Sequence, residues 1–114
     1  MSALTPFRPA GPTVVVAAAA AAPGAVQCVV LSDQQLNQNY VMTNSGANIA
    51  FIAMGPTKAT AEANCGLPTS TQAFPVYPLL NGSQVTISGP ANAWFTGITT
   101  VTSCTVYVTP GYGQ

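Results

Sequence analysis

The stretch Gln84-Val-Thr-Ile-Ser-Gly-Pro-Ala-Asn-Ala-Trp-Phe-Thr-Gly-Ile-Thr99, with Cys104-Thr-Val-Tyr-Val-Thr-Pro-Gly-Tyr-Gly-Gln114 after four intervening residues, decides the fold class. Three short runs rich in β-branched and aromatic residues are separated by turn residues, a strand–turn–strand–turn–strand signature. In the last run Cys104, Val106 and Val108 share one face and Thr105, Tyr107 and Thr109 the other, the two-residue period of a half-buried strand. Pro110-Gly111 reads as the stop of that strand, with Pro110-Gly111-Tyr112-Gly113 expected to dock and not hang free. Trp94 and Phe95 are adjacent, so they point to opposite faces. One is expected in the core, and the other against a second layer, a subunit or solvent.

The chain before this stretch continues the β pattern. Residues 1–12 hold three prolines, which favour an extended arm over a helix. Such an arm is expected to lie along a neighbouring subunit. Thr13-Val-Val-Val is followed by six alanines. This run is shorter than the about 20 apolar residues that span a membrane. A signal-peptide core fits its length, but Val26-Gln27-Cys28 lacks the small residue that a lipoprotein cleavage site places before its Cys. We read a strand from Val14, with a one-turn helix as the alternative. Residues 25–31 read as a central strand, apolar on both faces. Residues 39–44 and 48–54 read as a β-hairpin across a four-residue loop. Residues 57–64 fit either one helical turn capped by Thr57 or an extended loop. Pro75 and Pro78 make residues 72–80 an edge strand at most. Asn81-Gly82 is a hairpin signal joining residues 76–80 to 84–88. Asn81-Gly82-Ser83 also fits a glycosylation acceptor, a triplet that arises often by chance.

These readings give an all-β chain of 114 residues. The expected architecture is an antiparallel β-sandwich or jelly-roll-like barrel of seven or eight short strands. The expected division is an extended proline- and alanine-rich arm over residues 1–24 and a β domain over residues 25–114.

Composition narrows the function classes. Only 4 % of residues are charged, against about 25 % in ordinary soluble domains. The charges are Arg8, Asp33, Lys58 and Glu62, net charge is zero, and there is no histidine. A neutral surface does not repel a neighbour and favours association. Two cations make neither a phosphate-tracking patch nor an anionic-membrane anchor, so neither nucleic acid nor membrane is an expected partner. Without histidine there is no ordinary general base at neutral pH. Asp33 and Glu62 both fall in turns or loops, no G-x-S-x-G elbow or phosphate-binding glycine pattern occurs, and no thiol has a base partner. Cys28, Cys65 and Cys104 form no C-x-x-C pair, so zinc is not expected. Their simplest state is three reduced thiols, with one disulfide as the alternative. We expect a non-enzyme with no cofactor, metal or small-molecule substrate.

Several segments together are similar to a known class. Asn48-Ile-Ala-Phe-Ile-Ala-Met-Gly55 is followed by a variable loop, a proline-bearing segment and the Asn81-Gly82 turn into Val85-Thr-Ile87. Ala93-Trp-Phe-Thr-Gly-Ile-Thr99 and Thr105-Val-Tyr-Val-Thr-Pro-Gly-Tyr-Gly113 complete the pattern. Over roughly residues 40–114 the chain resembles the small β-rich virion proteins of tailed bacteriophages, in particular those that decorate or cement the capsid. The resemblance implies a structural protein of the virion, made in the host cytoplasm. It would bind the major capsid protein and copies of itself, as a homotrimer, and stabilise the shell. Partner contacts are then expected from Phe7, from Val14, Val15 and Val16, from one of Trp94 and Phe95, and from Tyr112. Two rival roles are a neck, tail or fibre component of the virion, and a secreted glycan- or receptor-binding β module.

Overall fold

A computed structural model describes residues 7–29, 37–100 and 103–112. In chain order the elements are β1 (Arg8–Pro9), β2 (Val14–Ala19), β3 (Val26–Gln27), β4 (Asn37–Asn44), β5 (Ala50–Gly55), α1 (Lys58–Asn64), β6 (Tyr77–Leu79), β7 (Gln84–Pro90), β8 (Trp94–Thr99) and β9 (Ser103–Tyr112). Seven strands form one curved sheet in the order β6-β5-β8-β2-β9-β4-β7, with β1 added to β9 and β3 to β8. The sheet wraps into a nearly closed barrel, so the all-β expectation holds in its barrel form. It is mixed and not purely antiparallel, because β2 meets β8 in parallel at Ala19 and Ile98.

The two-residue period dictates what fills the barrel. Val16 and Ala18 of β2, Tyr40 and Met42 of β4, Ala50 and Ile52 of β5, Phe95 of β8, and Cys104, Val106 and Val108 of β9 form one buried cluster. Burying a large apolar side chain of this kind contributes about 1.5–3 kcal/mol. Tyr40 and Phe95 meet edge to face at a centroid distance of 4.9 Å. Small residues hold the packing tight: a Cβ on Gly97 would come within 2.8 Å of Ile52 Cδ1. A second layer covers the outside of β5 and β8. Thr57 caps α1, accepting from the Thr60 N–H, and Ala61 of that helix is buried. Thr96 donates its hydroxyl to the Pro23 carbonyl at 2.7 Å.

Neighbour relations depart from the sequence reading in several places. Strands β7, β8 and β9 follow one another in the chain, yet none pairs with another. β4 lies between β7 and β9, and β2 between β9 and β8. Period-2 patterning decides which face is buried, not which strand lies alongside. The hairpin expected from residues 39–44 and 48–54 is likewise absent: β4 pairs with β7 and β9, β5 with β6 and β8. The turn between them folds around the buried Asn44 amide, which accepts from Gly46 N–H and donates to Asn48 O, each at 2.9 Å. The chain is thereby sent across the barrel end. Asn81-Gly82 forms a turn without a hairpin. Gly82 has φ 70°, but Asn81 is not at positive φ. Either primed hairpin turn needs positive φ at the first central residue, here Asn81, and other turns splay the strands.

The strand expected over residues 25–31 pairs only at Val26 and Gln27, with Cys28 continuing through its N–H to Ala93 O at 2.9 Å. Residues 30–31 lie outside the described residues. Pro110-Gly111 does not stop β9, which runs through Tyr112 between β4 and β1. Pro110 lacks an N–H but its carbonyl accepts from Ala10 N–H at 2.9 Å. Gly111 leaves room for the Arg8 carbonyl and for Phe7, whose Cζ would stand 2.6 Å from a Cβ there. The segment read as an arm up to residue 24 supplies β1 and β2, and β2 pairs with β9 along its whole length. The sheet therefore begins well before residue 25.

Candidate functional site: an uncharged outer face

The outward side chains of β2, β9, β4 and β7 make one face with no charged group. Val15 is opposite Tyr107, and Tyr107 is opposite Thr43, which in turn faces Gln84. Ala17 faces Thr105, and Val41 lies between Thr109 and Thr86. Val15 and Tyr107 are 48 % and 42 % exposed, so the centre of this face is an apolar pair bordered by threonines. Thr13 and Thr109 hydroxyls are joined at 2.7 Å, and the Gln84 amide donates to Thr43 Oγ1 at 2.8 Å. These bonds use neutral groups, so nothing on the face demands a counter-charge. Uncharged cores with an aromatic anchor and a polar rim are what protein interfaces are made of.

The expected contact residues divide by the same alternation. Val15 faces outward, whereas Val16 is buried and Val14 packs against the core. Phe95 is fully buried and Trp94 half-buried on the outside of β8, the split expected of adjacent residues. Phe7 and Tyr112 are half-buried at the end of β9, Phe7 resting over Gly111. The structure thus brings Phe7, Thr109, Tyr107 and Val15 onto one side of the barrel. Trp94 stands apart on β8, where Gln27 of β3 is its neighbour. Val16 belongs to the chain's own core and Val14 packs against it, so both are corrected out of the contact set, and Phe95 is the member of the Trp94 and Phe95 pair that fills the core. Tyr107 joins the contact set. Its signal was already present in the alternation Thr105-Tyr107-Thr109, opposite Cys104-Val106-Val108.

Ionisable groups serve the fold. Glu62 is held below the ordinary carboxylate range, first by the hydrogen bond from Lys58 at 2.7 Å and then by the Ala25 backbone N–H at 2.9 Å. All three cysteines are free. Burial pushes the Cys28 thiol up to about 12 and raises that of Cys65. Burial also raises the Tyr40 hydroxyl, partly offset by its bond from the Ala93 N–H. Among the described residues no three His, Cys, Asp or Glu side chains cluster as metal ligands. Asp33 lies outside the described residues.

A second surface feature is the seam where the barrel fails to close. A cavity of about 300 Å³ opens there, lined by Ile52, Met54, Pro75, Val76, Tyr77, Ile87 and Ser88. Met54 reaches across to β7, where a Cβ on Gly89 would come 2.5 Å from its sulfur. No protein family matches this chain, and no curated protein or solved structure is detectably similar to it.

Proposed function

We propose that this chain is a non-enzymatic structural protein of a tailed-bacteriophage virion. In this reading it binds the major capsid protein at the capsid surface, together with copies of itself as a homotrimer, and stabilises the shell. The observation that carries the reading is the uncharged outer face centred on Val15 and Tyr107, in a chain with only 4 % charged residues. A surface of this composition associates readily, because no net charge opposes it. Shell stabilisation then comes from many modest contacts that add through multivalency.

The test is to add purified protein to emptied capsids that lack it. Rebinding and a raised disruption temperature are expected. Val15→Asp should abolish rebinding while leaving the melting of the isolated protein nearly unchanged. Failure of the wild-type protein to bind capsids sinks the reading. Density confined to a portal vertex in particle imaging would move the protein to the neck or tail, and measurable glycan affinity of a soluble monomer would move it to the secreted modules.

A further inference from the structure

We infer that Asn81 is a self-modification site, at which the Gly82 backbone nitrogen displaces ammonia from the Asn81 side-chain amide, and that Asn44 sets the rate by clamping the turn. Asparagine is among the thermolabile residues, and of the chain's asparagines only Asn81 is followed by Gly. A side chain on the following residue hinders attack by its backbone nitrogen, and Gly has none. Asn81 and Gly82 are exposed, and a Cβ built on Gly82 meets nothing within 4 Å. The site is thus uncrowded and open to water, the one co-reactant. The Gly82 nitrogen bonds to Asn81 Cγ and loses its proton, the Cγ–Nδ2 bond breaks, and ammonia leaves behind a five-membered succinimide. Water then opens the ring at either carbonyl. One opening yields aspartate, and the other yields isoaspartate, with the main chain rerouted through Cβ.

The fold acts as a brake on this chemistry. The Ser83 N–H donates to Leu80 O at 3.1 Å and Gly82 has φ 70°, so residues 80–83 form a type II turn. That turn gives Asn81 a ψ of about +120°, which carries the Gly82 nitrogen away from the Asn81 side chain. The Gly82 N–H donates to the Asn44 carbonyl at 2.9 Å. Asn44 holds the same turn twice more, through its own N–H to Ser83 O and its side-chain amide to Leu79 O, each at 2.9 Å. Ring closure must rotate the Asn81–Gly82 peptide and break the first of these bonds. The reaction therefore waits on local opening, and its rate scales with the open population. Conversion adds a negative charge to a chain of net charge zero, and the like charge on converted copies opposes their association. The inference holds whether or not the protein belongs to a virion.

The test incubates wild type in warm, mildly alkaline buffer, both folded and unfolded in guanidinium chloride, and follows it by anion exchange and peptide mapping. An acidic species carrying aspartate and isoaspartate at position 81 is expected, formed about tenfold or more slowly in the folded protein. Asn44→Ala, held below its melting temperature, should form it several-fold faster than folded wild type. Asn81→Gln should stay unconverted at that position. Equal rates in folded and unfolded wild type, or other asparagines converting as fast as Asn81 in the unfolded chain, overturn the inference. So does an Asn44→Ala rate equal to that of folded wild type. If Asn44→Ala does not fold, the comparison of folded with unfolded wild type decides alone.

Discussion

The Cys104 thiol donates to the side-chain oxygen Oδ1 of Asn44 at 3.0 Å, deep between β9 and β4. Asn44 is fully buried, and all of its bonding capacity is used: its amide nitrogen also donates to Asn48 O and Leu79 O at 2.9 Å, and its oxygen accepts from Gly46 N–H. One side chain thus ties together the end of β4, the turn after it, β6 and β9. Asn44→Ala is expected to lower stability by about 2–4 kcal/mol, because several buried partners lose their bonds at once. Cys104→Ser keeps a donor and should cost about 1 kcal/mol. Urea denaturation of the two variants checks the ordering, and equal losses would contradict it.

Tyr40 anchors the middle of β4. Its hydroxyl donates to Pro90 O and accepts from the Ala93 N–H at 3.0 Å, while its ring packs on Phe95. Tyr40→Phe keeps the ring and should cost about 1–3 kcal/mol. Tyr40→Ala also empties core volume and should cost about 3–5 kcal/mol. Thermal melts of both variants separate the hydroxyl from the ring.

Gly111 lets β1 lie close against β9. A Cβ there meets the Arg8 carbonyl and Phe7, so Gly111→Ala should displace β1 and cost about 1–3 kcal/mol. In a chain lacking residues 1–9 the same substitution should cost much less, since the clashing atoms are gone. A double-mutant cycle measures the coupling, and strict additivity would count against the contact.

Acid sensitivity is expected from Glu62. A carboxyl lowered in the folded state stabilises that state above its unfolded value, near 4.5, and the contribution is lost as pH falls through the folded value. Wild type and Glu62→Gln should therefore differ in melting temperature at pH 7 and converge in acid. The difference should be modest, because Glu62 and Lys58 are exposed and screened. A gap that widens in acid would refute the assignment.

Thiol labelling should follow burial. Cys65 is half-buried, whereas Cys28 and Cys104 are buried, and the Cys28 thiol is pushed up to about 12. Under native conditions an alkylating reagent at neutral pH should modify Cys65 first and leave Cys28 untouched until unfolding. Mass spectrometry of partially labelled protein reads the order directly.

The sequence by itself determined the class of fold and the sidedness of its strands. Alternation in Cys104–Thr109 assigned Val106 and Val108 inward and Tyr107 outward, and adjacency alone split Trp94 from Phe95. These are local consequences of strand geometry, so a single segment carries them. Pro78 as an edge residue was legible for the same reason, since it acts through its own backbone, whereas the sequence left residues 57–64 open between a helical turn capped by Thr57 and an extended loop. Only the tertiary structure decided which strands became neighbours. Val14–Ala19 slots between β8 and β9, and β4 divides β7 from β9, because hydrogen bonding between strands is generic and any alternating strand can satisfy any other. The Asn44 amide selects among those pairings through partners up to 60 residues away, a relation that no local pattern contains. The candidate face shows the same division. That Tyr107 points outward was written in β9, but its pairing with Val15 exists only because β2 lies beside it.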